Sequence, residues 1–459
     1  IINNEDDETV DGQKFKFGHE LLRNKEFLLN YTNFNHGSFG ACPKFILEYQ
    51  SMLRLQQEQQ PDPWMRYRYL QMLNETRRKV AEYINADKDE NVVLLESAST
   101  AVNSVLRSFK WENQSKIAYF TTAYNMVKNT AGFLAEYENI DVVTIPVSTF
   151  PITEDTGDDA FLLPLRQMLE NLRKQDELHK LRVVVLDHIL SCPGIKTPLE
   201  ALAAMVKNYS PETFVLVDGA HALGQIPNLN LQSIGKNFDA YLSNGHKWFY
   251  TPKGSAFLWI KQTQIKKLFP EPTVISSENS ISPSDESPSI TLSGRFAYTS
   301  TRDYTPLLSF DAAFDFRQKI LGGDAALYEY VRNLALTARR YLINLWNVTA
   351  IAPEYMEEFM INIVLPINNP SMGMKLQDYL LKQHEMYVVV VHDKGSGLIY
   401  TRLSAQVYLE ISDFKELGRA VLDFVNLNIN HVHGSGNVHL GVSRVDEDED
   451  EDVVESTIV

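Results

Sequence analysis

The sequence predicts an α/β protein: a large domain around a mostly parallel β-sheet, followed by a smaller C-terminal α/β domain. Three observations carry this. Short apolar runs recur between residues 92 and 260, and most are continuous rather than alternating. That is the pattern of strands buried on both faces. Helical stretches lie between several of them, as parallel crossovers require. A long helical stretch after Gly322-Gly323 then leads into a second set of strands.

Taken in order, the first 18 residues are polar and predict a flexible start. YTNFNHGSFGACP, from Tyr31, is dense in Asn and Gly and predicts a structured loop. A helix is expected over 43–60, broken by the prolines of PDPW, and another over 67–84. Strands are expected at VVLL (92–95), KIAYF (116–120), DVVTI (141–145), RVVVLDH (182–188), TFVLVDG (213–219), DAYLSN (239–244) and SAFLWI (255–260). Helices are expected over 164–179 and 199–209. The Ser/Pro-rich stretch 276–290 reads as a surface loop. Helical text resumes over 304–321 and 327–345. MINIVLP, MYVVVVHD and LIYTRLSAQV then read as strands, with a closing helix over 413–429. This divides the chain into a flexible arm (1–30), a large domain (31–325), a small domain (326–436) and an acidic, solvated tail (437–459).

Composition excludes several classes. The 459 residues are 44% hydrophobic and 22% charged, ample for a large core. A net charge of −16 argues against nucleic acid or an acidic membrane surface as a partner. The run Asp446–Asp452 supplies seven of those charges. Cys42 and Cys192, the two cysteines, cannot make a disulfide framework or a cysteine zinc site. No apolar run is long enough to span a membrane, and no signal peptide is visible. A cytoplasmic, reducing setting is the expectation. His431, His433 and His439 lack supporting carboxylates or cysteines and read as surface residues, with no metal site. Cys192 reads as a small buried residue and Lys253 as structural.

The chemistry concentrates between residues 213 and 254. One buried strand ends in Asp218, followed by Gly219-Ala220-His221; the next ends in Asn244-Gly245-His246-Lys247. Ligands of α/β sheets collect at the carboxyl ends of strands, so these groups aim at one crevice. A partly buried lysine near a cation suits Schiff-base chemistry. A pyridine-aldehyde cofactor also needs a carboxylate facing its ring nitrogen, and Asp218 is the natural choice. Ser97, Ser99 and Thr100, between a strand end and a helix, suit a phosphate. No Walker or GxGxxG loop is present.

In combination, DGAHALGQ and NGHKWFYTPKG make the chain resemble the class V aminotransferases, pyridoxal-phosphate enzymes of fold type I. The resemblance covers roughly residues 30 to 430. NHGSFG, NGHKW and TSTRDYTP look most like the isopenicillin N epimerase-like branch, which includes fungal ergothioneine-pathway carbon–sulfur lyases and cysteine desulfhydrase-like proteins. It implies pyridoxal 5′-phosphate carried by Lys247, which then acts as the base at Cα. It also implies Asp218 at the pyridinium nitrogen, His221 at the ring hydroxyl, and Ala98, Ser99, Asn244 and His246 around the phosphate. Thr301 is implied to reach the phosphate from a partner subunit, hence a homodimer. Tyr124 is implied over the ring, Arg402 at the substrate α-carboxylate, and Asn35 and His36 on the substrate side. Desulfurases of the family carry a nucleophilic Cys roughly fifteen residues before that Arg. EMYVVVVHDKGSG has none, and both cysteines lie far upstream, which argues against a persulfide-forming desulfurase. The resemblance therefore implies β-elimination from cysteine or an S-substituted cysteine such as a hercynylcysteine sulfoxide, with Tyr124 protonating the departing sulfur. Epimerase or aminotransferase activity stays open beside it, as does a non-catalytic binding protein on the same fold.

Overall fold

The computed structural model describes residues 16–147, 150–268, 270–277 and 291–432. The acidic tail, residues 1–15 of the arm, His433, His439 and most of the Ser/Pro-rich stretch lie outside the described residues.

The expected strands form, each within a residue or two of its expected bounds. They are β2 (Val92–Leu95), β3 (Lys116–Phe120), β4 (Asp141–Ile145), β5 (Leu181–Asp187), β6 (Phe214–Asp218), β7 (Ala240–Asn244) and β8 (Ala256–Ile260). A two-residue strand, β1 (Thr32–Asn33), precedes them. The seven make one sheet in the order β2-β8-β7-β6-β5-β3-β4. Neighbours from β7 through β4 run parallel; β8 runs antiparallel to both β7 and β2. Side chains alternate between two apolar clusters: Val92 and Leu94 join one, Val93 and Leu95 the other. The helices Ala98–Leu106 and Asn125–Glu138 cover one face, and Asp159–Lys174 and Leu199–Tyr209 the other. With both faces covered, every residue of β6 is buried. Each such Val or Leu contributes roughly 1.5–3 kcal/mol.

Helix bounds depart furthest from the sequence expectation at prolines. PDPW ends the first helix as expected, Lys44–Gln59 stopping at the non-helical Gln60, but the next helical run starts ahead of the expected residue 67. Pro61 opens a short helical turn, Pro61–Pro63, which leads through a π-turn, Trp64–Arg68, into the helix Tyr69–Tyr83. At a first helical position the missing N–H is no loss, and the buried Trp64 anchors the turn. The helix expected from Pro164 begins at Asp159 and ends at Lys174, with Pro164 inside it. Its buried face, Phe161, Leu165, Met168, Leu169 and Leu172, outweighs the one lost backbone bond.

The C-terminal sheet is antiparallel, in the order β11-β12-β9: β9 (Met360–Val364), β11 (Val389–His392) and β12 (Ile399–Ser404). The helices Asp324–Trp346 and Ile411–Val432 pack together, and the Trp346 indole donates to the Gly418 carbonyl at 3.0 Å. Residues 16–30 of the expected arm are not free. His19–Arg23 is helical, the Gly18 amide donates to the Val407 carbonyl at 2.6 Å, and the His19 ring meets Asp413 at 2.9 Å. β1 pairs in parallel with β10 (Met386–Tyr387). The N-terminal segment is therefore tied to the C-terminal domain, an attachment across some 350–390 residues of sequence that no local pattern reports.

Candidate active site

β6 delivers Asp218 and β7 delivers Asn244, each as its last residue. The turn after β6 passes against the Tyr241 ring. A Cβ on Gly219 would lie 2.6 Å from that ring, so only glycine fits. The chain then brings His221 back so that its Nε2 is 3.0 Å from Lys247 Nζ. The Trp248 indole, which can only donate, meets His221 Nδ1 at 3.4 Å. That places the ring proton on Nε2, facing the lysine, and the lysine presents its lone pair.

The electrostatics agree with this arrangement. Burial, then the Arg402 guanidinium, pushes Lys247 down to about 7, against Asp218 and Cys192. Burial, then Lys247 and Arg402, pushes His221 well below the ordinary range. Burial raises Asp218, opposed by the Ala220 amide at 2.9 Å and by the Lys247 charge. His246 is pushed down to about 4 by burial first and Lys247 next, and its Nδ1 donates to the Ser255 carbonyl at 2.9 Å. It is neutral, with Nε2 left for a ligand.

The phosphate side is locked to the lysine side by one residue. Asn244 Oδ1 accepts the Ala98 amide at 2.8 Å. Ser97 caps the helix Ala98–Leu106, accepting the Thr100 amide at 3.1 Å. The Ala98 amide thus serves the Asn244 clasp. The N-terminal partial charge and partly exposed Ser99 face remain for an anion.

Arg402, 1% exposed, projects from β12. Its Nη1 donates to the Ser191 carbonyl at 2.6 Å; its Nη2 donates to Asn35 Oδ1 at 2.6 Å and to Ser38 Oγ at 2.8 Å. All three partners are neutral, and the buried Nε has none among the described residues. A buried guanidinium without a counter-charge is costly until an anion arrives. Asn35 therefore clamps Arg402. His36 does not line the substrate side as expected. It is fully buried, donates from Nε2 to the Lys247 carbonyl at 2.9 Å, and meets the Tyr408 hydroxyl at 3.1 Å through Nδ1. Burial pushes it down to about 3. Its place is behind the lysine, holding the backbone.

Tyr124 stands at the N-terminus of the helix Asn125–Glu138. Burial first, and the Asp218 charge second, raise its phenol above the ordinary range, so it is protonated. Thr301 is exposed, its hydroxyl 3.0 Å from Tyr298, outside the Lys247 cluster. Next to it, Arg302 pairs with Glu96 of the same chain.

The sequence reading missed several residues. Ser38 and the Ser191 carbonyl hold Arg402. Asp187 ends β5 directly opposite Asp218. Cys192, although far from Arg402 in sequence, acts electrostatically on Lys247 and lies at the site; burial raises its thiol, against Arg402 and Lys247. The run RVVVLDH carried one usable signal, since it ends in a carboxylate just as the Asp218 strand does.

The Aminotransferase class-V family model matches residues 64–379. The chain belongs to this family. Among its relatives, it is 29% identical to hercynylcysteine sulfoxide lyase of Schizosaccharomyces pombe over 416 residues, 90% of this chain and 98% of that one. It is 28% identical to L-cysteine desulfhydrase of Arabidopsis thaliana, over 85% of this chain and 87% of that one. Among solved structures, the cystine C–S lyase C-DES, in complex with its product cysteine persulfide, matches with a TM-score of 0.72 and 20% identity, covering 86% of this chain and 98% of that one. The cysteine desulfurase CsdA from Escherichia coli matches with a TM-score of 0.68 and 15% identity, covering 88% of this chain and 98% of that one. These likenesses bear out the expected fold.

Class-V aminotransferases work with pyridoxal phosphate, and the donor set here fits it. A neutral buried amine, a carboxylate beside it and a capped helix N-terminus offer the aldehyde, ring nitrogen and phosphate their partners. Lys247, Asp218, His221, Ser99 and His246 are the residues that would hold it.

Proposed function

We propose that this protein is a pyridoxal-phosphate-dependent carbon–sulfur lyase acting on cysteine or an S-substituted cysteine, such as a hercynylcysteine sulfoxide. The observation that carries the amino-acid substrate is Arg402, buried and held by neutral groups alone. It is ready for an α-carboxylate, a charged acceptor that forms stronger hydrogen bonds than the neutral groups now holding it. The relatives' names, hercynylcysteine sulfoxide lyase and L-cysteine desulfhydrase, support the sulfur leaving group.

Bound, the cofactor supplies an electron sink that acidifies the substrate Cα–H. Arg402 orients the carboxylate and so presents that hydrogen to Lys247. Lys247 Nζ, kept as an amine by burial and by Arg402, takes the proton. Asp218, with the Ala220 amide on it, holds a negative charge where the ring nitrogen needs one. The Tyr124 phenol retains its proton and can deliver it to the departing sulfur. The Cβ–S bond breaks, the sulfur leaves as hydrogen sulfide, thiol or sulfenic acid according to its substituent, and the remaining enamine takes up water to give pyruvate and ammonia. His221 and His36 hold the lysine side chain and backbone.

The same reading carries a homodimer in which Thr301 completes the partner's phosphate site, and a cytoplasmic setting. Exposure of Thr301 and the two unpaired cysteines support these. Among the described residues no helix is long and apolar enough to cross a membrane.

The test is pyruvate release from L-cysteine and from an S-substituted cysteine sulfoxide, with Lys247→Ala as control. Pyruvate from the native protein alone supports the lyase. Exchange of the Cα hydrogen with solvent, without pyruvate, would replace it with an epimerase or aminotransferase.

A further inference from the structure

Asp187 and Asp218 are the last residues of β5 and β6, and they face each other directly in the parallel register. Both are 4% exposed. Asp218 has a donor, the Ala220 amide at 2.9 Å, and the charge of Lys247. Asp187 Oδ2 is buried and has no hydrogen-bond partner among the described residues. An orphaned carboxyl oxygen costs free energy unless it carries a proton or meets a ligand. It stands beside the carboxylate that serves the cofactor ring.

The groups around the pair decide which member is ionised. Among the described residues, the charge of Lys128, on the helix Asn125–Glu138, acts to lower Asp187, and that of Lys247 acts to lower Asp218. The phenols of Tyr124 and Tyr241 feel the Asp218 charge and are protonated, burial being the larger cause for each. His188, next in the chain, turns to the Tyr241 hydroxyl at 2.7 Å. Burial, and then Asp218, raise Asp187 well above the carboxylate range; burial raises Asp218 too, but there the Ala220 amide and Lys247 oppose it. Two neighbouring carboxylates in a dry site do not both ionise, and the one that holds the amide donor and the nearer lysine, Asp218, keeps the charge.

We propose that Asp187 is a further residue of the cofactor pocket, the protonated member of a carboxyl pair with Asp218, offering Oδ2 as a hydrogen-bond donor beside the ring-nitrogen site. The proposal rests on the pyridoxal-phosphate reading of the site. Asp218 then remains the single anion there, matched to a single ring cation, and the orphaned oxygen finds its acceptor when cofactor or substrate binds.

The experiment measures the dissociation constant and absorbance spectrum of bound pyridoxal phosphate at pH 7 in three proteins. Asp187→Asn keeps the size, the neutrality and a donor. It is expected to bind within about threefold of the native protein with the same absorbance maximum. Asp187→Val removes the donor and is expected to bind at least about tenfold more weakly, a loss of one ordinary hydrogen bond. Infrared difference spectra of the native holoenzyme are expected to show a protonated-carboxyl band that Asp187→Asn lacks. A tenfold loss in Asp187→Asn would mean that Asp187 acts as an anion, and overturns the proposal even if the Val variant does not fold. So would native affinity in Asp187→Val, or a native enzyme without the band. If the native protein itself takes up no cofactor, the pyridoxal-phosphate reading fails first.

Discussion

His221 Nε2 lies 3.0 Å from Lys247 Nζ, with the Trp248 indole on the opposite ring nitrogen. The pair therefore works as N–H donor and amine acceptor. Lys247 is poised as a nucleophile in the cofactor-free protein, and its protonation governs how fast it can take up an aldehyde.

Uptake of pyridoxal phosphate by the cofactor-free protein is expected to accelerate with rising pH and to be half-maximal near pH 7, where burial and Arg402 set the amine. Only the free amine attacks the aldehyde. Stopped-flow absorbance checks this, and a midpoint near the ordinary lysine value would contradict the arrangement.

The same amine has a consequence for stability. Its folded value, about 7, lies below the unfolded one of about 10.4. Between these the unfolded chain binds more protons, so stability rises with pH across the window. Cofactor-free Lys247→Met is expected to melt above the native protein most clearly below pH 7, the advantage fading toward pH 10. Calorimetry across pH reads the trend directly.

Arg402→Lys is expected to raise KM for the amino acid by about 10- to 100-fold, the value of hydrogen bonds to a charged group. A lysine keeps the charge but not the fork. Saturation kinetics with the substrate and with its α-amide separate the two contributions. Equal KM ratios for acid and amide would remove Arg402 from carboxylate binding.

Tyr124→Phe is expected to lower kcat by about 10²–10⁴-fold with a poor thiolate leaving group, as for a lost general acid. The loss is expected to shrink with an electron-withdrawing S-aryl group, which leaves without protonation. A kcat series across leaving groups tests this; a uniform loss would give Tyr124 a packing role only.

Gly40→Ala tests the support behind the lysine. Gly40 has φ +67°, and an added Cβ would press into the His246 carbonyl. Strain and overpacking together are expected to cost about 1–3 kcal/mol of stability. Cofactor affinity is expected to weaken too, because the displaced backbone carries Lys247. Denaturant melts and cofactor titration measure both, and retained affinity would uncouple the NHGSFG turn from the lysine loop.

Much of this architecture was legible in local patterns. Continuous apolar runs such as VVVLD and FVLVD are strands because both faces are buried, and that pattern needs no partner to be recognised. The same runs end in Asp187 and Asp218, so the carboxyl ends of the strands marked the crevice. PDPW marked a true helix end, whereas Pro164 misled because a proline's effect depends on where it falls in a helix and on what the helix buries.

The sequence by itself determined the strand-and-helix order, the lysine and its carboxylate, and the family to which they belong. These depend on short-range periodicity and on residues within about 30 positions of each other. Only the tertiary structure decided what each group touches. It gave Asn35 to Arg402 across 367 positions, put His36 behind Lys247 rather than before the substrate, and brought Cys192 to the site. Burial, which sets the charge of Lys247 and of the Asp187–Asp218 pair, depends on what the packed sheets and helices exclude, and no single stretch of chain encodes that.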